Sequence, residues 1–300
     1  MEKNLNKANL LFKRRDFIEA INICKKLLES NSSSVEIFQL ISKCMLALKD
    51  MKEAIKNLES ALSIEPNNYE ILKDMGNLYL VINDKIKAKD FYMKSIKINK
   101  DYAPGLTNLG ILELQSGNNS EALSYQLRAA KAEPKNPAIL GNLANVYYRT
   151  NQNSIAEETI LKAISLDNNN INFKLLLCSI LSKLNKLDEA KKYIIEIIQT
   201  DPSNPKLYLN LGRILLKQGN LEEAESIFRK LIVSSPILEY PYLHLAKILR
   251  QSNKGTEAVK ILKKLLIINP NNQEACFDLS TLLFEIGLMN EAEFYIRKSI

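Results

Sequence analysis

The 300-residue chain has one histidine, His244, and no tryptophan. A single imidazole leaves little material for general acid–base chemistry, in which histidine is the usual group. There is no glycine-rich phosphate loop, no G-x-S-x-G and no H-E-x-x-H. No catalytic constellation is therefore expected, and the chain reads as a non-enzyme. Cysteine is scarce and scattered. Cys24, Cys44, Cys178 and Cys276 form no C-x-x-C pair, and His244 has no cysteine beside it, which argues against a zinc site. They read as reduced packing residues, and neither a metal nor a cofactor is expected. Long apolar runs are missing too. The longest candidate, Leu175 to Leu181, falls well short of the ~18–20 residues of a membrane span. The opening MEKNLNKANLLFKRRDF carries Glu2 and lacks the apolar stretch of a signal peptide. These absences predict a cytoplasmic protein with no membrane partner. Linkers rich in proline or glycine are also absent, and the lowest-complexity stretch is Asn168-Asn169-Asn170.

What the chain does have is a period. Ala20, Ala54, Ala88, Ala122, Ala156, Ala190, Ala224, Ala258 and Ala292 stand thirty-four residues apart without a slip. Fixed periods of this size mark repeat architectures. Twelve residues before each alanine sits a small or short residue: Ala8, Ser42, Gly76, Gly110, Ala144, Cys178, Gly212, Ala246 or Ser280. One small residue on each of two helices lets their backbones approach closely, where a larger side chain would create strain. Five residues before the alanine come Arg15, Lys49, Asn83, Gly117, Asn151, Asn185, Gly219, Asn253 and Gly287. Seven of the nine are Gly or Asn, the residues that best tolerate the left-handed conformation ending a helix. Twelve residues after the alanine come Ser32, Pro66, Lys100, Pro134, Asn168, Pro202, Pro236 and Pro270, and proline stops a helix.

The pattern resembles the tetratricopeptide repeat. The stretches that carry the likeness include Leu72-x-x-Met75-Gly76-x-x-Tyr79…Ala88, Leu106-x-x-Leu109-Gly110…Ala122…Pro134 and Leu140-x-x-Leu143-Ala144-x-x-Tyr147…Ala156. The usual tryptophan is replaced by Phe38, Leu72, Leu106, Leu140, Tyr208 and Tyr242. The resemblance implies an all-α fold, a right-handed α-solenoid of helix-turn-helix hairpins. It would be one domain over 1–300, with units 1–34, 35–68, 69–102, 103–136, 137–170, 171–204, 205–238, 239–272 and 273–300. The first unit looks like a cap, because Asn4 and Lys7 stand where later units have large apolar groups. The sixth is the least typical, with Lys174 replacing an apolar anchor, and slight repacking is expected there. The ninth is six residues short. It predicts an apolar face including Ile296 and Ile300, and with it either a homodimer contact or a continuation of the natural chain.

In such arrays the first helix of each hairpin lines a concave groove. The groove-facing phases of units five to eight hold Tyr148, Arg149, Lys183, Lys206, Arg213, Lys217, Tyr240, His244, Lys247 and Arg250, with no Asp or Glu. Asn142, Asn145, Ser179 and Asn210 are the neutral members, and Leu175, Leu209, Leu243 and Phe277 run alongside as an apolar row. A net charge of +7 allows acidic partners. The expected ligand is a protein or peptide segment with acidic and apolar side chains. Lys73, Asn77 and Asn108 match half of the two-carboxylate clamp found in some tetratricopeptide domains, but Ala138 and Asn142 replace its remaining cations. Asn108, Asn142 and Asn210 also match the asparagine ladder in the repeat arm of O-linked N-acetylglucosamine transferase, while Leu40, Asp74, Leu176, His244 and Asp278 break it. An amide both donates and accepts, which suits binding to a peptide backbone.

The leading expectation is thus a protein-interaction scaffold. The alternative is a substrate-recognition arm of a larger glycosyltransferase, sulfotransferase or methyltransferase. RNA binding fits less well, because the period does not match the helical repeats that read RNA and stacking aromatics do not recur at one phase.

Overall fold

The computed structural model describes residues 2–30 and 34–299; Ser32 and Ile300, named above, lie outside them. Eighteen α-helices follow one another, with no strand among the described residues. They are α1 (Glu2–Lys13), α2 (Phe17–Glu29), α3 (Val35–Ala47), α4 (Met51–Ile64), α5 (Tyr69–Val81), α6 (Lys85–Ile98), α7 (Ala103–Gln115), α8 (Asn119–Ala132), α9 (Pro137–Arg149), α10 (Asn153–Leu166), α11 (Ile171–Lys183), α12 (Leu187–Thr200), α13 (Pro205–Gln218), α14 (Leu221–Ser234), α15 (Glu239–Gln251), α16 (Gly255–Ile268), α17 (Gln273–Glu285) and α18 (Met289–Ser299). Each repeat is one hairpin of two helices. The chain divides into two compact units, Met1–Asn168 with α1 to α10 and Asn169–Ile300 with α11 to α18. The division falls at the start of the atypical sixth repeat. This is an all-α helical-repeat solenoid fold, and no described helix is long and apolar enough to cross a membrane.

The turn inside each hairpin follows from the residues at the left-handed position. All nine residues at that phase have positive φ, between 58° and 84°. The next residue then donates its N–H to the carbonyl five residues back. Asp16 donates to Leu11, Asp84 to Tyr79 and Asn220 to Leu215, at 2.8–2.9 Å. This is the closing bond of a Schellman motif, which satisfies carbonyls that the first helix leaves open. Asp16, Asp50 and Asp84 also cap the second helix, accepting from the N–H of Glu19, Glu53 and Lys87.

The ladder alanines are all buried. Their small counterparts on the first helices meet the second helices closely. Ser42 Oγ donates to the Ala54 carbonyl at 2.8 Å, and Cys178 Sγ lies 3.7 Å from the Ala190 carbonyl. A Cβ added at Gly76 would sit 2.5 Å from the Tyr92 ring, and one at Gly212 would sit 2.7 Å from Phe228. The glycines therefore make room for an aromatic ring one turn beyond the alanine.

The prolines do less than expected. Helices α4, α8, α12, α14 and α16 end two residues before a proline, but α6 and α10 end at the same phase before Lys100 and Asn168. The proline carbonyls have a second use. Tyr208 Oη donates to Pro202 O at 3.0 Å and Tyr242 Oη to Pro236 O at 3.1 Å. At these two positions a tyrosine that stands in for the usual tryptophan supplies a bond of its own. In α11, Lys174 reaches Glu196 at 2.9 Å, so the charged anchor is paired. In α1 only Ala8 is buried.

Candidate binding face of the first helices

Within the Asn169–Ile300 unit, α13, α15 and the start of α17 form a recess of about 340 Å³ lined by Leu209, Arg213, Tyr240, Leu243, His244 and Glu274. The first helices of three successive repeats contribute to it, because residues thirty-four apart share a face. Leu243 is buried and Leu209 half-buried, which makes an apolar floor. His244 stacks on the buried Phe228 ring with centroids 5.3 Å apart. Burial, helped by the nearby Lys247 and Arg213, pushes its pKa below the usual histidine value, and Glu274 opposes the shift. The imidazole is neutral near pH 7 and acts as a polar wall.

Beside the recess lies a cluster of cations. Lys217 donates to Ser182 O and Ser182 Oγ, each at 3.0 Å. Its pKa is lowered by burial and by the neighbouring Lys183 and Arg213. Lys183 and Arg213 therefore both lie near the Lys217 ammonium. No carboxylate pairs with Lys183, Arg213 or Lys217 among the described residues.

The next two cations of the expected row behave differently. Lys247 Nζ lies 2.7 Å from Glu274 and 3.9 Å from Asp278, and Arg250 pairs with Glu285. The three carboxylates come from α17, in the ninth repeat. The basic row therefore ends at its eighth-repeat members. The same phase arithmetic, continued one repeat further, finds Glu274 thirty-four residues after Tyr240 and Asp278 thirty-four after His244.

Five of the remaining expected residues belong to the Met1–Asn168 unit: Asn108, Asn142, Asn145, Tyr148 and Arg149. Asn142, Asn145, Tyr148 and Arg149 lie along α9, the first three half-buried and Arg149 exposed. Asn108 is already engaged: its Nδ2 donates to Asn77 Oδ1 at 2.8 Å, and Tyr92 Oη donates to the same oxygen at 2.7 Å. Lys73 pairs with Asp74. The half-clamp of Lys73, Asn77 and Asn108 is thus tied up internally. Asn210, in α13 of the second unit, is half-buried. Among the described residues no group of three or more His, Cys, Asp or Glu could hold a metal.

Stacked hairpins with a shared first-helix face define a helical-repeat protein. Residues 113–177 and 183–234 match a family model described as tetratricopeptide repeat, and residues 70–102 match a second model of that description. Residues 2–61 match the model for anaphase-promoting complex, cyclosome, subunit 3. The chain belongs to the tetratricopeptide repeat family. No curated protein matches it. Among solved structures it is similar to a tetratricopeptide repeat protein from Parabacteroides merdae ATCC 43184, at 18% identity over 83% of this chain and 98% of that one, with a TM-score of 0.66. It is also similar to a chain of the APC/C hetero-tetramer Cut9-Hcn1, at 17% identity over 93% of this chain, with a TM-score of 0.66; it spans 55% of that chain. The third is pilF of Pseudomonas aeruginosa, at 16% identity over 72% of this chain and 96% of that one, with a TM-score of 0.63. At such identities the likeness speaks for the fold.

Proposed function

We propose that the protein is an interaction scaffold that holds a segment of a protein partner, with acidic and apolar side chains, against the first helices of repeats six to eight. The reading rests chiefly on one juxtaposition: a recess with an apolar floor of Leu209 and Leu243 and polar walls of His244 and Glu274, next to the unneutralised cations Lys183, Arg213 and Lys217, of which Arg213 itself lines the recess. An apolar anchor would fill the recess while a carboxylate engages the cations, and the charges would set the partner's register as well as its affinity. The family supports a binding role. So does the match of residues 2–61 to a subunit of a multi-protein complex, as does the likeness to a chain of a hetero-tetramer.

The test is a display selection of random dodecapeptides on the full chain. Enrichment of Asp or Glu next to Leu, Ile or Phe is expected, and the double variant R213E/K183E should lose the acidic preference while keeping its helical content. Selection of basic peptides, or an acidic preference untouched by the double variant, contradicts the reading. Lys247 is left alone because Glu274 already neutralises it.

A further inference from the structure

The second helices of the Asn169–Ile300 unit carry a separate feature on the face turned away from their hairpin partners. In α14 and α16, residues spaced i, i+4 and i+7 form one exposed stripe on each helix. On α14 it holds Ser226, Lys230 and Val233, and on α16 Lys260, Lys264 and Ile267. The two stripes are in register, since their members are thirty-four residues apart. Cross-helix ion pairs hold the helices side by side: Arg229 of α14 meets Glu257 of α16 at 2.8 Å, and Lys263 of α16 meets Glu291 of α18 at 2.8 Å.

The stripe is unusual in two ways. Val233 and Ile267 are 84% and 80% exposed, and Ile237, in the turn after α14, is 82% exposed. These side chains stand proud of the surface, and none of them lines the recess on the first helices. Exposed aliphatics scattered singly need no explanation, but three at one end of adjacent helices do. Secondly, Lys230, Lys260 and Lys264 have no carboxylate partner among the described residues, whereas the acids nearby are taken. Glu225 and Glu257 hold Arg229, and Glu223 holds Lys191. The exception, Glu222, lies at the opposite end of α14 from Val233, about 16 Å away along the helix.

We propose that this outer stripe docks the protein onto an anionic phospholipid surface, with the lysines at the headgroups and Val233, Ile237 and Ile267 dipping into the interface. Charge complementarity favours an anionic occupant. The protruding aliphatics favour a soft interface that can admit them. Phosphates of a nucleic acid offer those side chains nothing, and a folded protein partner would gain most from a recess. Docking of this kind needs no spanning helix and leaves the first-helix face uncovered, so it is independent of the peptide-binding reading.

The experiment is co-sedimentation of the full chain with vesicles at low salt. The vesicles are phosphatidylcholine alone or phosphatidylcholine with about 30% phosphatidylserine. Binding is expected only to the anionic vesicles. It should fall about tenfold in K230E/K264E and several-fold in V233S/I267S. The exposed pair Lys25 and Lys52 controls for net charge: K25E/K52E should bind within about twofold of the parent. All variants should keep the parent's thermal midpoint, since the altered side chains are exposed. The proposal is overturned if the parent stays in the supernatant, if K25E/K52E loses binding as much as K230E/K264E, or if polyuridylate is retained while anionic vesicles are not.

Discussion

His244 is the only histidine, so its titration can be followed without assignment ambiguity. Burial against Phe228 and two cations nearby place its midpoint below that of a free histidine. A folded-state pKa below the unfolded one means that the unfolded chain binds the proton first. The contribution to stability is therefore complete above about pH 6.5 and is lost as the pH falls through the folded value. A proton NMR titration should give a midpoint below 6.5, and a midpoint at or above it would mean that the ring is solvated. The cysteines behave as a second residue-scale check. Burial pushes Cys24 and Cys44 up to about 11 and Cys178 up to about 12. With Cys276 also buried, a thiol reagent at pH 8 should label none of the four until denaturant is added. Rapid labelling of the native protein would contradict the packing described here. At Arg15 and Lys49 the backbone is left-handed without glycine or asparagine. Replacing either by glycine should raise stability by about 0.5–1 kcal/mol, measured by urea unfolding, because removing the Cβ clash outweighs the entropy that glycine loses. An unchanged or lower midpoint would argue against the left-handed turn.

At the scale of the helix hairpin, the fit of an aromatic ring over a glycine is the most demanding contact. Tyr92 is fully buried and its hydroxyl is held by Asn77, so the ring cannot move aside for a Cβ at Gly76. Gly76→Ala and Gly212→Ala should each cost about 1–3 kcal/mol, despite alanine's better helix propensity. Gly255→Ala, where the nearest atom lies 3.9 Å from the added Cβ, should be harmless or mildly stabilising. Equal stability of all three would mean that the hairpins are not packed as described. This level was the most legible in the sequence. Helix position, turn position and the small-residue contacts all depend on neighbours at fixed offsets within one repeat, and periodicity reports such offsets directly. The use of Lys100 and Asn168 where other repeats have proline shows that capping and packing can end the helix without it. The candidate site was legible only in part. Phase identified which side chains share the first-helix face, but not which long side chains bend toward a partner. The pairing of Lys247 and Arg250 with α17, and of Asn108 with Asn77, depends on rotamers and on the next repeat's residues, for which the period has no signal.

For the molecule as a whole, each hairpin of a solenoid touches little beyond its neighbours, so its faces can carry separate tasks. In the second unit the first helices offer a recess with an apolar floor next to three cations, and the second helices offer exposed aliphatics among unpaired lysines. The stacking that forms the core also gathers residues thirty-four apart into each of these faces. The proposed function requires most of all that an acidic and apolar segment lie along the first helices. Amide hydrogen exchange of the full chain, with and without a saturating dodecapeptide from the display selection, tests this directly. Slowed exchange should be confined to α11, α13, α15 and the start of α17, and R213E/K183E should abolish it under the same conditions. Protection centred on α14 and α16, or none at all with the peptide bound, would contradict the account.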